Sequence, residues 1–125
     1  MVLLDTYAWI EYLKDTDRGK AVKDILESNS ATYTSAISIA ETSRWLHKNG
    51  LDVRKGIGNI TSLSIVLPLS EDILVEGGIM HVELRKTQKD IGMIDALIYT
   101  TGQIYSMDVL TGDPHLKGLP GVQML

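Results

Sequence analysis

Short apolar segments of strand length alternate along the chain with longer segments of helical periodicity, and this alternation restricts the possible folds most. The apolar run that opens the chain at Val2–Asp5 is typical of a parallel strand buried on both faces. Strands that alternate with helices favour a parallel sheet covered by helices on both sides, with right-handed crossovers. An α/β protein with a mainly parallel five-stranded sheet is therefore predicted. Its strands are expected at Val2–Asp5, Ala31–Ser35, Ser64–Leu67, Ile104–Thr111 and Val122–Leu125.

Apolar residues recur at helical spacing between these strands. Trp9 and Leu13 are expected to face inward from a helix that follows the first strand directly. The Gly77–Gly78 pair is expected to weaken and bend the longest helix, because glycine is unfavourable inside a helix. The other helices are predicted at Asp17–Ser28, Ile37–Lys48, Leu51–Leu63, Ser70–Thr87 and Met93–Gly102.

The composition narrows the class of protein. The length of 125 residues corresponds to a single domain, residues 1–125. The absence of cysteine excludes disulfides, zinc–thiolate centres and cysteine nucleophiles. No signal peptide is evident at Met1–Asp5, and no segment approaches the roughly 20 apolar residues of a membrane span. We expect a cytoplasmic protein that makes no contact with a membrane.

The net charge of −4 disfavours passive coating of nucleic acid, because general nucleic-acid binders are usually basic. The same charge is compatible with a metal-dependent nuclease. Carboxylates that hold metal ions make the metal-free protein more acidic than the metal-bound protein, since each divalent ion adds two positive charges.

Four acidic residues fall at corresponding places in the predicted sheet. Asp5 ends the first strand, Glu41 lies early in the helix after the second, Asp95 opens a helix, and Asp113 follows the fourth strand. The ends of parallel strands share one edge, so the four carboxylates are expected to converge there. Clustered carboxylates are costly unless a cation compensates them, and oxygen ligands suit Mg²⁺ or Mn²⁺. The pattern favours hydrolysis of a phosphodiester bond by metal-activated water.

Each acid taken alone also has a structural interpretation. Asp5 would cap a helix, and Ser38 with Glu41 matches a capping box. Asp95 would complement a helix dipole, and Asp113 before Pro114 suits a turn. The set of four is harder to explain in this way, because three of its members have apolar neighbours in sequence.

Four segments, in this order, resemble the motifs of the PIN-domain nucleases. They are Val2–Thr6, Thr34–Glu41, Ile91–Ile98, and Leu110–Leu116 with Gly118–Val122. Each segment is short, but together they cover the chain almost from end to end. The length of the chain, without any additional domain, resembles the toxins of toxin–antitoxin pairs, of the VapC type.

The resemblance implies a three-layer α/β/α fold, endoribonuclease activity and dependence on Mg²⁺ or Mn²⁺. It implies that Asp5 and Asp95 ligate the metal, with Glu41 and Asp113 completing the cluster directly or through water. It places hydroxyl groups near the site at Thr6 and Thr111. It further implies an RNA substrate, a homodimer and an inhibiting antitoxin protein.

The chain departs from the family pattern at two positions. Leu116 stands where many members have phenylalanine, which keeps an apolar plug. Tyr7 occupies a position that often holds a small residue, and it is expected to narrow access to the metal.

Several charged residues outside the four motifs have two interpretations. Arg44 either forms an ion pair with Glu41, three residues earlier, or clamps a phosphate near the site; the ion pair is slightly favoured. Asp108 is a candidate fifth acid that ranks below the four. The three histidines share no spacing typical of a metal site, and His115 is at most a substrate contact. Candidate RNA contacts are Arg44, Arg85, Lys86 and Lys89.

Two other functions remain open. Phosphotransferases of the haloacid-dehalogenase type also carry a nucleophilic aspartate at the end of the first strand, but they need a second aspartate where this chain has Tyr7. The third strand is followed by Pro68 rather than by the acceptor aspartate of a response-regulator receiver. A non-catalytic PIN-like module that binds RNA or protein is the remaining alternative, and it predicts no turnover.

Overall fold

A computed structural model describes all 125 residues of the chain. Five strands form one sheet in the order β3-β2-β1-β4-β5, and all four strand pairs are parallel. The predicted α/β fold with a five-stranded sheet is therefore confirmed. The strands are β1 (Val2–Leu4), β2 (Thr32–Ser35), β3 (Ile65–Leu67), β4 (Asp108–Thr111) and β5 (Val122–Met124). The helices are α1 (Thr6–Lys14), α2 (Asp17–Glu27), α3 (Ala36–Lys48), α4 (Val53–Leu63), α5 (Glu71–Arg85) and α6 (Met93–Ile104), with a 3₁₀ turn at Pro114–Leu116.

The central strand β1 divides the core into two layers. Successive residues of a strand point to opposite faces, so the fully buried Leu3 and Leu4 face different sets of helices. Leu3 packs with Ile98 of α6, whereas Leu4 packs with Trp9 of α1 and Ile60 of α4. The Trp9 indole nitrogen also donates a hydrogen bond of 3.0 Å to Thr34 Oγ1. Helices therefore cover both faces of the sheet.

The predicted strand Ile104–Thr111 is wrong in its first four residues. Ile104 ends α6 instead, because the helix continues past Gly102 and is closed by the Tyr105 N–H, which donates to Thr101 O. Ser106 then takes a left-handed conformation with φ of 54°, and β4 begins at Asp108. The branched side chain of Ile104 favoured a strand, but the helix hydrogen bonds determine its conformation.

The Gly77–Gly78 pair lies within the continuous helix α5. A Cβ atom at position 77 would lie 3.4 Å from Leu97 Cγ and 3.5 Å from Leu97 Cα. Gly77 therefore allows α5 and α6 to pack closely, which is a role that the sequence did not indicate.

The parallel arrangement places the carboxyl ends of all five strands at one edge of the sheet. In register, Val2 of β1 lies beside Asp108 of β4, and Leu4 lies beside Leu110. Asp5 therefore leaves β1 at the same level at which Thr111 completes β4. No helix is long and apolar enough to cross a membrane.

Candidate active site

Asp5 is the most buried acid of the chain, with only 4% of its surface exposed. One carboxylate oxygen accepts a hydrogen bond of 2.9 Å from the Ala8 N–H and so caps α1. The pKa of Asp5 is raised to about 7, mainly by burial and to a lesser extent by the charges of Asp113 and Asp95. Hydrogen bonds from the Thr111 hydroxyl and from Ala8 partly oppose this rise. Asp5 thus combines the capping role with a place in an acidic cluster.

Asp95 and Asp113 approach each other from different segments. Asp95 lies in the first turn of α6 and accepts a hydrogen bond of 3.4 Å from the Gly92 N–H. Asp113 follows β4 and accepts from the His115 N–H at 2.9 Å, which caps the 3₁₀ turn. Burial raises the pKa of Asp95, and the nearby Asp113 charge adds to this effect.

His115 joins these two acids. Its Nδ1 lies 2.9 Å from Asp113 Oδ1. Atoms that could ligate a metal, one each from Asp95, Asp113 and His115, all lie within 4.8 Å of one another. The sequence pattern indicates no role of His115 in metal binding, because the three histidines share no spacing typical of a metal site. A usable signal was its position two residues after Asp113, since the tight turn brings the imidazole back to the carboxylate.

Glu41 faces the same cluster from α3. Thr6 Oγ1 donates a hydrogen bond of 2.5 Å to Glu41 Oε1, and Ser38 Oγ lies 3.1 Å from the same hydroxyl. Burial raises the pKa of Glu41, the Thr6 hydrogen bond lowers it, and the Asp95 charge raises it. The charge of Asp95 therefore raises the pKa of both Glu41 and Asp5, which places Asp95 at the centre of the cluster.

The capping box at Ser38 and Glu41 is a wrong prediction. Ser35 caps α3, and its hydroxyl accepts from the Ile37 N–H at 3.4 Å. The helix begins at Ala36, so Ser38 and Glu41 lie within it. Glu41 is therefore not held at the helix terminus, and its side chain is directed to Thr6.

The structure brings together the four acids and both hydroxyl residues named from the sequence: Asp5, Thr6, Glu41, Asp95, Thr111 and Asp113. Asp108 does not join them. It begins β4 at the opposite edge of the sheet and accepts a hydrogen bond of 2.7 Å from the Gln123 side chain.

The candidate RNA contacts lie on exposed surfaces. Arg44 is exposed on α3 and forms no ion pair with Glu41, so the favoured structural interpretation was wrong. Lys86 pairs with Glu83 at 2.8 Å near the end of α5. Arg85 and Lys89 are exposed without an ion pair.

The donor set fits a hard divalent cation. Four carboxylates and one imidazole converge at one place, and burial makes their negative charges costly. Carboxylate oxygens are the ligands that Mg²⁺ prefers, and Mn²⁺ also accepts imidazole. The fold and the site define an α/β protein with a carboxylate cluster of the kind that divalent cations occupy.

The protein belongs to the PIN domain family, because the model of that family matches residues 2–122. The resemblance to this family that the sequence motifs indicate is thereby confirmed. PIN nucleases use divalent metal ions, in agreement with this donor set.

Solved structures with this fold include components of toxin–antitoxin systems. A toxin–antitoxin complex from Klebsiella pneumoniae matches with a TM-score of 0.74 and 25% identity, covering 98% of this chain and 96% of that chain. FitAcB from Neisseria gonorrhoeae matches with a TM-score of 0.72 and 24% identity over 100% and 96% of the chains. VapC20 from Mycobacterium tuberculosis, a toxin that cleaves the sarcin–ricin loop, matches with a TM-score of 0.73 and 14% sequence identity, covering 91% of each chain. No curated protein matches the chain in sequence.

Proposed function

We propose that this protein is a metal-dependent endoribonuclease that hydrolyses RNA phosphodiester bonds and acts as the toxin of a toxin–antitoxin pair. The observation that carries the proposal is the convergence of four carboxylates around Asp95, with Asp5 buried and its pKa raised to about 7. Membership of the PIN family and the similarity to toxins, one of which cleaves RNA, support it. An ordinary structural role does not account for one buried and three half-buried acids in mutual repulsion.

Mg²⁺ or Mn²⁺ would be held by Asp5 and Asp95, with Glu41 and Asp113 completing the site directly or through water. The imidazole of His115 adds a donor that suits Mn²⁺ better than Mg²⁺. When bound, the cation supplies positive charge that stabilises phosphoryl oxygens and activates water for attack.

The neighbouring side chains orient these acids. The Thr111 hydroxyl lowers the pKa of Asp5, and its oxygen accepts from the Asp113 N–H at 2.9 Å, so one residue acts on both carboxylate-bearing segments. Thr6 holds Oε1 of Glu41, which leaves Oε2 able to accept a proton from the attacking water. Burial raises the pKa of Glu41 toward the range in which a carboxylate is an effective base.

An antitoxin protein is the first proposed partner, since similar structures include toxin–antitoxin complexes. A second copy of the chain is the other proposed partner, and α5 offers a surface for it. Glu71, Asp72 and Glu76 occupy its first half; in its second half Glu83 is paired with Lys86, and Arg85 ends the helix. Antiparallel pairing of two α5 helices therefore brings opposite charges together. The apolar residues exposed between them are Leu74, Val75, Ile79 and Val82, at 48–61% exposure.

The dimer is tested by light scattering. Ile79→Lys places a charge in the exposed stripe and is expected to yield a monomer. Ile65→Lys, at an equally exposed apolar residue of β3, serves as the matched control and should not change the mass. A wild-type protein that is monomeric at micromolar concentration contradicts the proposal.

The ribonuclease is tested with a fluorogenic single-stranded RNA in Mg²⁺, Mn²⁺ or EDTA. Cleavage by the wild type in either metal, absent in EDTA and in an identically purified Asp95→Asn variant, is expected. If the wild type neither cleaves nor binds Mn²⁺ in calorimetry, the protein is a non-catalytic PIN-like module. Mn²⁺ binding without cleavage indicates a substrate that the generic RNA does not contain.

A further inference from the structure

Tyr7 lies against the backbone of the loop that joins Thr111 to Asp113. Gly112 is buried between these two residues, and a Cβ atom there would lie 2.6 Å from Tyr7 Cδ1 and 2.9 Å from Tyr7 Cζ. Such distances are too short for any larger residue at position 112 unless the ring moves. Glycine at this position therefore gives the Tyr7 ring its place beside the acidic cluster.

The guanidinium group of Arg18 contacts Tyr7. Its Nη1 donates a hydrogen bond of 2.6 Å to the Tyr7 hydroxyl, and its Cζ lies 5.8 Å from the centre of the Tyr7 ring. Arg18 lies in the first turn of α2, which packs against α1. Of the four arginines in the chain, Arg18 alone makes a side-chain hydrogen bond. Tyr7 thereby restricts a long side chain that would otherwise move freely in solvent.

The positive charge of Arg18 is not neutralised. No carboxylate lies within ion-pair distance of it, whereas four of the lysines are paired with acids. The Tyr7 hydroxyl is a neutral partner that occupies one of five guanidinium N–H groups. The remaining donors form a planar fork that matches the oxygens of a phosphate.

We propose that Arg18 binds a backbone phosphate of the RNA, next to the phosphate that enters the acidic cluster, and that Tyr7 positions it. The proposal rests on the ribonuclease function proposed above and extends it to a binding residue. An acidic cluster in a chain of net charge −4 repels the RNA backbone. A cation fixed beside the cluster offsets that repulsion and sets the register of the strand, because phosphate contacts position nucleic acid.

The kinetic test compares steady-state RNA cleavage by Arg18→Ala, Arg18→Lys, Tyr7→Phe and wild type. Removal of a charged hydrogen bond predicts that Arg18→Ala raises KM about tenfold while kcat changes much less. Arg18→Lys keeps the charge and is expected to recover part of the affinity. Tyr7→Phe keeps the ring against Gly112 but removes the hydroxyl, so KM should rise by a smaller factor. Arg54→Ala, at an exposed arginine of α4 beyond the far end of α3, is the matched control and should equal the wild type.

The binding test measures anisotropy of a fluorescein-labelled single-stranded RNA of randomised sequence over a series of salt concentrations. A side chain that neutralises one phosphate of a single strand contributes about 0.7 to the slope of log K against log salt. Arg18→Ala is expected to make the slope shallower by this amount, and Arg54→Ala is not.

The outcomes separate this proposal from the function on which it rests. If wild type cleaves RNA and Arg18→Ala has an unchanged KM and salt slope, Arg18 does not bind phosphate and the nuclease stands. If Arg18→Ala has a lower kcat and a lower thermal stability at an unchanged KM, its role is structural and the proposal fails. If wild type neither binds nor cleaves RNA, both the ribonuclease function and the role of Arg18 are contradicted.

Discussion

The two edges of the sheet both carry aspartates at strand ends, yet only one edge has the character of a reaction site. At the carboxyl edge, Asp5 is 4% exposed and shares its surroundings with Asp95 and Asp113. At the opposite edge, Asp108 begins β4 and accepts a hydrogen bond of 2.7 Å from the Gln123 amide. Burial among other carboxylates, rather than the mere presence of an acid at a strand end, therefore creates the need for a cation.

The opposite edge also carries a surface cavity, whereas no cavity is lined by the four acids. A polar cavity of about 240 Å³ is lined there by residues that include Gln103, Ser106, Asp108 and Gly121. The shape of a surface therefore does not identify the functional edge in this protein. The functional edge is identified by the burial and the mutual repulsion of its carboxylates.

The largest expected effect contrasts one aspartate from each edge. Asp95→Asn removes the acid at the centre of the cluster and should lower RNA cleavage by at least about 100-fold, because even groups that only support metal ligands contribute 10- to 100-fold. Asp108→Asn should leave cleavage at the wild-type rate. The two rates are measured with the same RNA and metal concentration. Comparable losses of activity in both variants would remove the distinction between the edges.

The second effect is on stability in the absence of metal. The folded state raises the pKa of Asp5 from 3.8 to about 7, so the unfolded chain releases this proton first as pH rises. The resulting penalty is negligible below about pH 3, grows through about pH 4–7 and reaches at most about 4 kcal/mol above pH 7. Asp5→Asn keeps a good helix cap and removes the penalty. Its Tm should exceed that of wild type by several degrees at pH 8.

The stability gain of Asp5→Asn should depend on pH, and this dependence is the control for its cause. The gain in Tm of Asp5→Asn over wild type should vanish below about pH 3, where Asp5 is protonated in both states. Asp108→Asn should show no comparable gain at pH 8. Differential scanning calorimetry in EDTA provides these values, and a gain that does not change with pH contradicts the assigned cause.

A third prediction concerns the added cation, which should reverse the stability penalty. Since protons compete with the metal for carboxylates, Mn²⁺ should raise the Tm of wild type more at pH 8 than at pH 5. Asp95→Asn should lose most of this stabilisation, and Asp108→Asn should retain it. Equal stabilisation of all three proteins would place the cation elsewhere.

The smallest effect at the carboxyl edge is expected from Thr111. Thr111→Val removes the hydroxyl that lowers the pKa of Asp5 and accepts from Asp113 N, and it should reduce cleavage about tenfold. Thr111→Ser retains the hydroxyl and should restore most of the activity. If Thr111→Val cleaves at the wild-type rate, the hydroxyl does not orient the carboxylates.

Much of the fold followed from local patterns. The run at Val2–Leu4 is apolar because both of its faces are buried, and this property is visible in the sequence itself. The helix boundaries near Lys48 and Met93 agreed with their neighbouring glycines. The convergence of the four acids followed from one further step, since parallel strands place their ends at one edge.

Local patterns misled where two structural roles compete for one residue. Ile104 has the branched side chain of a strand residue but ends α6, and Ser38 has the sequence of a helix cap but lies inside α3. In both cases the hydrogen bonds of the longer helix outweigh the preference of one residue.

The order of strands and helices and the identity of the acids can be read from the sequence, because periodicity and residue type are local properties. Which polar groups meet depends on the three-dimensional arrangement: His115 meets Asp113, Thr6 meets Glu41, and Arg18 meets Tyr7. The same arrangement places Asp108 at the opposite edge, through the register of β1 against β4. These contacts depend on strand register, helix packing and side-chain direction, and no single segment of the chain contains that information.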